Sequence, residues 1–465
     1  MRETLFVEAE QSPKDRIASS IAGSLIGTAA ADALGWVTEF VRGRQHLREL
    51  YGLDTVTDYR SWHKTSGGRF YGNRDNIGAG EYSDDTQLTF AVARSLNGNG
   101  TLDPVHFAKQ ELPLWLDYSR GAGSTITQAA QALRRRRAQW DRNFFSYTHR
   151  RRRLSSWESG ANGAAMRVAP IALANQKDPN RMEVAVWKCT IATHGHPRAI
   201  LGAVLYAEAV RRSIAPEKDE SIGAVVEELR SYVAQRRVPE DEELQGWLDA
   251  WPKGRDAFAE AWTATRDEVL AGLELILSSR PGEGPSVMSR LGCFEPETKG
   301  SGIGTVLAAL LIALSTQDNF EHAVVTAINQ LGSDTDTIGG FVGGILGARL
   351  GYTAIPVRWA EQLQDYEYLM RVSMELTAIA EGQGFGGKAL LPAPHMVETD
   401  PPDLLDLLKA KRVEEGQAVY HRLFGYGRVR SVEAQALRRA GYKAYFAWVD
   451  FDLGQSCKFR FIKSE

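Results

Sequence analysis

The sequence predicts a mainly α-helical protein with a small β-barrel at its C-terminal end. From about residue 17 to about residue 380, alanine and leucine recur at helical spacing between polar, glycine-containing joints, and alternating β-branched runs are nearly absent. The last fifty residues alternate apolar and polar side chains around glycines, which is typical of short antiparallel strands. A chain of 465 residues is long enough for more than one domain at roughly 100–200 residues each.

Composition narrows the class of protein. Hydrophobic residues make up 43% and charged residues 24% of the chain, which is near the average for soluble globular proteins. Lysine and arginine total 55 against 58 acidic residues, so net charge provides no general attraction to nucleic acid or anionic lipid. Three scattered cysteines do not suit a disulfide framework or a cysteine-based zinc site. We therefore expect a cytoplasmic protein.

The sequence also predicts no association with a membrane. The N-terminal segment contains acidic residues before any hydrophobic run develops, unlike an export signal. The most apolar run, Ile303 to Leu314, is shorter than the roughly 20 residues needed to cross a bilayer. A buried helix is the better interpretation of that run.

Helical spacing predicts individual helices along the chain. The clearest are Asp84 to Leu96, Pro197 to Arg212, Thr305 to Ser315, Phe320 to Leu331 and Asp336 to Leu350. The last one contains five glycines, each of which weakens an isolated helix by up to about 1 kcal/mol relative to alanine. We expect these glycines to permit close approach of another backbone.

Composition shifts predict the domain boundaries. Residues 1–395 are expected to form the helical domain, with a charged, solvent-facing helical insertion at about 215–256. Residues 396–415 follow a stretch rich in glycine and proline and are expected to form a linker. Residues 416–465 are expected to form the barrel, whose pattern is similar to Tudor or SH3-like modules.

Two acidic motifs carry the strongest chemical signal. Each offers two carboxylates and a hydroxyl at a predicted helix start: Ser83, Asp84 and Asp85 in the first, and Asp334, Asp336 and Thr337 in the second. Such hard oxygen donors suit magnesium, calcium or manganese better than zinc or copper. Helix capping is the simpler interpretation of either motif alone. One carboxylate is enough to cap a helix, and each motif has two. The presence of two such motifs therefore favours a metal site.

The ordered set of motifs resembles the ADP-ribosylglycohydrolases, the family that includes the hydrolase reactivating dinitrogenase reductase. Five segments match in chain order over about residues 17–363: Gly27 to Glu39, Ser83 to Thr86, Ser159 to Pro170, Thr193 with His194, and Asp334 to Ala348. Substitutions relative to the family pattern, at Ala31, Val37, Ala161 and Ser333, leave every candidate metal-donating side chain in place.

The resemblance implies an all-helical fold with two Mg²⁺ (or Mn²⁺) ions at the base of a cleft. The implied metal ligands are Ser83, Asp84, Asp85, Asp334, Asp336 and Thr337, and the implied catalytic residues are Glu39, Asp84 and Asp336. The implied reaction is hydrolysis of the bond between ribose C1 and an acceptor atom, which releases ADP-ribose. Glu39 would activate water or gate the site, whereas a lone glutamate is otherwise most often a solvated surface acid.

The resemblance also implies a set of substrate contacts. Glycine-containing turns before helices commonly present backbone N–H groups to phosphates, and the implied contacts are Gly121, Gly123, Ser159, Gly160, Asn162, Gly163 and His194. A histidine in an apolar context is more often a core residue, and both interpretations of His194 stay open.

A basic segment lies between the two acidic motifs. Arg134–Arg137 and Arg150–Arg153 bring eight arginines close to several aromatic residues. This pattern favours an acidic partner, either a protein surface or nucleic acid. Solvated helix faces in a variable insertion are the alternative.

Three functions therefore remain open from the sequence. The first is a metal-dependent hydrolase that removes ADP-ribose from a modified protein, with arginine as the favoured acceptor. The second keeps the chemistry and moves it to ADP-ribosylated nucleic acid. The third is a non-catalytic protein that counters an ADP-ribosyltransferase by binding or occluding its target.

Overall fold

The structure is a computed structural model that describes residues 12–66, 72–149, 151–215, 221–316, 319–384, 401–439 and 441–464. The first group of helices is α1 (Pro13–Trp36), α2 (Arg44–Tyr51), α3 (Asp84–Arg94), α4 (Pro104–His106), α5 (Leu112–Trp115), α6 (Ser124–Leu133), α7 (Ala169–Ala174), α8 (Pro179–Ile191) and α9 (Pro197–Ser213). The second group is α10 (Ile222–Ala234), α11 (Glu242–Asp249), α12 (Gly254–Leu277), α13 (Gly284–Arg290), α14 (Gly304–Thr316), α15 (Phe320–Ile328), α16 (Thr335–Leu350), α17 (Val357–Gln362), α18 (Tyr366–Ala380) and α19 (Leu404–Ala410). The predicted mainly helical class is confirmed.

The described residues also form eight β-strands. They are β1 (Trp62–Ser66), β2 (Asn73–Ile77), β3 (Ser146–His149), β4 (Arg152–Ser155), β5 (Ala418–His421), β6 (Gly425–Ala436), β7 (Tyr442–Phe451) and β8 (Ser456–Ser464). The first four form two separate antiparallel hairpins, which the sequence did not predict. The last four form one antiparallel sheet in chain order. A small C-terminal sheet is therefore confirmed, and its relation to Tudor or SH3-like barrels stays a prediction.

The C-terminal sheet shares a hydrophobic core with the helices. Phe424 and Phe459 contact the ring of Tyr118, with centroids 5.2 and 5.8 Å away, and all three side chains are buried. Helix α19 lies inside the predicted linker 396–415, of which residues 396–400 fall outside the described residues. The division into 1–395, 396–415 and 416–465 stays a prediction.

The charged segment 215–256 contains helices α10 and α11, and only part of each helix faces solvent. Helices α10 and α11 bury Val225 and Trp247 while their acidic side chains stay near the surface. Residues 216–220 of this segment lie outside the described residues. The charged composition therefore reflects one face of amphipathic helices.

Helices α1 and α16 pack antiparallel with their backbones in contact. A Cβ atom added to Gly347 would lie 2.1 Å from the carbonyl oxygen of Gly23, and one added to Gly343 would lie 2.1 Å from that of Gly27. At the other end of the pair, a Cβ on Gly35 would lie 2.4 Å from the carbonyl oxygen of Thr335. The glycines of α16 serve the close approach that the sequence predicts, and they place the end of α1 against the start of α16.

Helix α1 is also the most apolar long helix in the described part of the chain. By length and composition alone, Lys14–Trp36 could cross a membrane, with a mean hydropathy of 1.4. However, 89% of its most apolar stretch is buried inside the protein. Packing against α16 and the surrounding helices accounts for its apolar character.

The α1–α16 contact predicts opposite effects for two glycines of the same helix. Gly347→Ala should lower the free energy of unfolding by about 3 kcal/mol, because its methyl group would overlap the Gly23 carbonyl. Gly340→Ala is the matched control, since its Cβ would meet Thr28 at an ordinary 3.7 Å, and it should stabilise the helix by up to about 1 kcal/mol. Chemical denaturation followed by circular dichroism measures both. Equal stability of the two variants would contradict this packing.

Candidate active site

The two acidic motifs, about 250 positions apart in sequence, line one cavity. The cavity has a volume of about 250 Å³. Its acidic and hydroxyl lining consists of Glu39, Asp84, Asp85, Asp334, Asp336 and Thr337, together with residues of the predicted substrate segments. The fold therefore brings together five of the six predicted metal ligands and the predicted catalytic glutamate.

The first motif opens helix α3. Ser83 is the N-cap residue, and its Oγ accepts a hydrogen bond from the backbone N–H of Asp85 at 3.2 Å. Ser83 is fully buried and is not among the described residues that line the cavity. Ser83 therefore caps α3 through one of the two lone pairs of its Oγ, while the carboxylates of Asp84 and Asp85 face the cavity.

The second motif opens helix α16 differently. Asp334 is the N-cap residue by position, but its Oδ2 accepts a hydrogen bond from the side-chain amide of Asn162 at 2.8 Å. Oδ1 of Asp336 accepts from the backbone N–H of Thr337 at 2.9 Å. One carboxylate oxygen each of Glu39, Asp334 and Asp336 lies within 4.8 Å of the others. Asn162 therefore links a predicted substrate segment to the carboxylate cluster.

Burial and mutual repulsion disfavour the ionised state of these carboxylates. Burial, followed by the charge of Asp334, raises the pKa of Glu39 to about 8. Burial and the charge of Asp32 raise the pKa of Asp84 to about 7, against the opposing effect of Lys64. The pKa values of Asp85 and Asp336 also lie well above the usual range, with burial as the largest cause. Such a cluster needs protons or a cation to neutralise it.

The donor set fits a hard divalent cation. Five carboxylates line the cavity, and the hydroxyl of Thr337, which is hydrogen-bonded to Asp85, adds a further oxygen. Magnesium, manganese and calcium prefer such ligands, whereas zinc and copper prefer nitrogen and sulfur. The residues present therefore match the kind of metal that the sequence predicts.

Asp32 supports the first motif and is absent from the predicted site residues. It lies on α1, fully buried, and accepts hydrogen bonds from the backbone N–H groups of Ser83 at 3.2 Å and Thr86 at 3.1 Å. The hydroxyl of Thr86 donates to the same carboxylate at 2.6 Å. The available signal was a single aspartate inside the alanine-rich run Gly27 to Leu34, since such an acid needs buried hydrogen-bond donors.

Most of the predicted substrate residues also reach the cavity. Its lining includes Gly121, Gly123, Asn162, Gly163 and His194. Ser159 and Gly160 are not among the described lining residues. The Ser159 hydroxyl is hydrogen-bonded at 2.9 Å to that of Thr125, which lines the cavity. The carbonyl of Gly160 accepts from the N–H of Gly302 at 2.8 Å, so this end of the segment is anchored to a neighbouring loop.

His194 is held as a neutral ring at the cavity wall. Its Nδ1 is hydrogen-bonded to the hydroxyl of Thr193 at 2.8 Å, and Thr193 in turn accepts from the buried guanidinium of Arg167 at 2.8 Å. Burial and the charge of Arg167 lower the pKa of His194 to about 3. His196 instead caps α9 by accepting from the N–H of Arg198. His194 therefore shapes the cavity without carrying charge.

Three further site residues come from segments that the sequence did not single out. Lys64, on strand β1, and Lys299 both lower the pKa of Glu39, opposing the effect of burial. Gly300 lines the cavity, and its carbonyl accepts from the N–H of Asn162 at 2.9 Å. A lone lysine or a short Lys-Gly-Ser-Gly segment carries no motif of its own, so only folding shows where it lies.

Comparisons with known proteins match the helical part of the chain to one family. The family model described as ADP-ribosylglycohydrolase matches residues 13–385. The ADP-ribosyl-[dinitrogen reductase] glycohydrolase of Rhodospirillum rubrum is 25% identical over 76% of this chain and 92% of its own length. The ADP-ribosylarginine hydrolase Tri1 of Serratia proteamaculans is 22% identical over 80% of this chain and 83% of its own.

A solved structure shows the same fold. A chain of an ADP-ribosylglycohydrolase-related protein complex superposes with a TM-score of 0.52 at 21% identity, covering 78% of this chain and 99% of that chain. The family model spans the helical segment that contains both acidic motifs and the segments around the cavity. On this evidence the chain belongs to the ADP-ribosylglycohydrolase family.

Proposed function

We propose that this protein is a metal-dependent hydrolase that cleaves the glycosidic bond between ADP-ribose and a modified macromolecule, releasing ADP-ribose. The observation that carries the proposal is the convergence of both acidic motifs and Glu39 on one cavity. Family membership supplies the substrate class. ADP-ribosyl-arginine on protein is the favoured modification, because the Serratia relative is named as an ADP-ribosylarginine hydrolase.

The carboxylates of the two motifs would hold the cation. Asp84, Asp85, Asp334, Asp336 and Thr337 offer oxygens to the cavity, and we propose two Mg²⁺ or Mn²⁺ ions there. Ser83 completes the proposed ligand set from its N-cap position, one residue before Asp84. When bound, such ions polarise oxygen atoms, lower the pKa of water and orient a substrate that carries vicinal hydroxyls.

The protein's own residues would supply the remaining steps. Glu39 lies with its carboxylate within 4.8 Å of those of Asp334 and Asp336, where it can accept a proton from an attacking water or close the site. The surrounding carboxylates favour positive charge developing on the ribose during cleavage. Gly121, Gly123 and Gly163 line the cavity, and a lining without side chains gives the ribose and pyrophosphate access to backbone N–H groups.

Nucleic acid is a second candidate acceptor, supported by the hairpin β3–β4. Arg151, Arg152 and Arg153 are exposed on this hairpin, and Arg150 lies outside the described residues. The hydroxyl of Tyr147 on β3 is hydrogen-bonded at 2.6 Å to that of Thr125, a cavity residue. A polyanion bound to the hairpin would thus lie near the cavity mouth.

The second arginine run lies at the other end of α6. Arg135, Arg136 and Arg137 are exposed, whereas Arg134 is engaged by the carboxylate of Asp117 and the carbonyl of Pro113. This run follows the C-terminal end of α6, while Thr125 lies in its first turn. It therefore provides a set of comparably exposed arginines that are farther from the cavity.

Loss of Asp336 tests the metal assignment. Asp336→Ala should reduce release of ADP-ribose from ADP-ribosylated arginine protein by more than about 100-fold, because it removes a carboxylate at the centre of the cluster. In the wild type, Mg²⁺ or Mn²⁺ should raise the melting temperature and chelator should abolish activity; the variant should lose the thermal shift. Asp249→Ala, which removes an exposed acid paired with Arg255, is the control. Unchanged activity in Asp336→Ala would refute the assignment.

Loss of Asp32 tests its role in positioning the first motif. Asp32→Ala leaves two backbone N–H groups and a hydroxyl of the motif without their acceptor. We expect metal affinity, measured by calorimetry, to fall by about 10- to 100-fold. Thr86→Val removes only one of these donors and should have a smaller effect. Wild-type affinity in Asp32→Ala would show that the motif holds its geometry without this carboxylate.

The hairpin arginines distinguish the two acceptors. If nucleic acid is the acceptor, combined replacement of Arg151, Arg152 and Arg153 by alanine should reduce cleavage of an ADP-ribosylated oligonucleotide by at least about tenfold and flatten its salt dependence. Cleavage of ADP-ribosylated arginine protein should change less than about twofold. The matched control replaces Arg135, Arg136 and Arg137. Equal loss on the oligonucleotide from both triple variants would argue against a specific hairpin site. Cleavage of neither substrate by the wild type, with tight binding of a transferase or its target, would favour the non-catalytic alternative.

A further inference from the structure

The C-terminal sheet, which lies beyond the residues matched by the family model, packs against a segment that ends at the cavity residue Gly121 and against a second segment that carries Lys64. These segments are the stretch from Tyr118 to Gly121 and the hairpin β1–β2. Their position suggests a role for the sheet in the site.

Arg120 is the main contact between the sheet and the cavity segment. Its guanidinium lies 5.1 Å from the ring centroid of Trp36 on α1 and 5.5 Å from that of Trp448 on β7. It is only 5% exposed and forms ion pairs with Glu81 and, at 3.7 Å, with Asp75. Two indole rings and two carboxylates therefore fix this side chain between the sheet and α1.

The next residue, Gly121, lies directly against the carboxylate cluster. Its φ angle is +94°, and a Cβ atom added there would lie 2.7 Å from Oδ1 of Asp84. The backbone of Gly121 therefore lies closer to Asp84, a proposed metal ligand, than it could if residue 121 carried a side chain. A small displacement of Arg120 would move the backbone that lines the cavity beside Asp84.

The same segment is held from both sides. The amide side chain of Gln87, on α3, donates to the carbonyl of Tyr118 at 3.1 Å and accepts from the N–H of Arg120 at 3.2 Å. On the other side, Tyr118 packs on Phe424 and Phe459 of the sheet region. Helix α3 begins at Asp84. The segment from Tyr118 to Arg120 therefore lies between the sheet and the helix that bears the first motif.

A second contact links the sheet to the hairpin that carries Lys64. The ammonium of Lys458, on β8, donates to Oδ1 of Asp75 and to the carbonyl of Asn76, both at 2.7 Å. Asp75 is the cross-strand partner of Lys64. The Lys64 ammonium lies 4.7 Å from the ring centroid of Phe40, which adjoins Glu39 in sequence. The hairpin therefore connects Lys458 of the sheet to Lys64, which lies beside the neighbour of Glu39.

We propose that the C-terminal sheet is a positioning element of the active site, in which Trp448 and Lys458 hold Arg120 and the β1–β2 hairpin so that Gly121 and Lys64 stay against the carboxylate cluster. The kinetic part of this inference rests on the proposed hydrolase function. The structural part does not, because it concerns the order of a defined backbone segment.

Trp448→Ala in the full-length chain tests the proposal. Amide hydrogen exchange over residues 118–125 should become at least about fivefold faster, because the segment loses one wall of the Arg120 contact. With ADP-ribosylated arginine protein, KM should rise about tenfold while kcat changes less than about twofold. Trp448→Phe keeps a ring beside the guanidinium and should restore both values to within about twofold of the wild type.

Tyr445→Ala is the matched control on the same strand. Tyr445 stacks on Phe461 at 5.0 Å, so its loss perturbs the sheet away from Arg120. We expect wild-type exchange over residues 118–125 and wild-type KM. Similar changes in the Tyr445 and Trp448 variants, or none in either, would overturn the proposal.

Two further measurements test the proposal if Trp448→Ala does not fold or if the wild type is inactive. If Trp448→Ala does not fold, Lys458→Met takes its place and should accelerate exchange over residues 72–77 and raise KM; wild-type values would again overturn the proposal. If the wild type cleaves no ADP-ribosylated substrate, the proposed function fails. The exchange data for residues 118–125 then still decide whether the sheet orders the segment.

Discussion

The backbone contact between α1 and α16 is the constraint on which the site depends. Glycines on both helices let the two backbones touch, because a methyl group at Gly347 or Gly343 would overlap a carbonyl oxygen of α1. The hydroxyl of Thr335 extends the contact by donating to the carbonyl of Gly35 at 2.9 Å. As a result, the end of α1 that leads to Glu39 meets the start of α16 that bears Asp336, and neither helix can shift without separating these carboxylates.

This arrangement brings buried acidic side chains close together, which is electrostatically unfavourable when they are ionised. Six acidic side chains lie in or beside the cavity, namely Asp32, Glu39, Asp84, Asp85, Asp334 and Asp336. Burial raises the pKa of most of them, and their mutual repulsion adds to the effect. Backbone N–H groups at the start of α3 and the lysines at positions 64 and 299 offset only part of this charge. A protein that keeps such a cluster gains most when a divalent cation binds, which couples folding stability to occupancy of the site.

The packing around the site extends beyond the segment that defines the family. Family membership rests on residues 13–385, yet Arg120 lies between Trp36 of that segment and Trp448 of the C-terminal sheet. The buried pair of Arg94 and Glu111 makes a similar link, since Arg94 also donates to the side chain of Gln455 at 2.8 Å. Arg94 lies at the end of α3, whose first residue is Asp84. Side chains of the sheet region therefore contact the helix that bears the first motif.

The sequence by itself determined the helical class, the C-terminal strands and the oxygen-donor character of the two acidic motifs, because helical periodicity, strand alternation and oxygen-donor clusters are local patterns. It left capping and metal binding as competing explanations, and only the tertiary structure showed Ser83 capping while Asp84 and Asp85 face the cavity. The roles of Asp32 and Lys64, and the position of Arg120 between α1 and the sheet, also became visible only in the tertiary structure. The physical reason is that these contacts join residues from about 20 to more than 300 positions apart, and no local pattern specifies which distant segment will meet a given side chain.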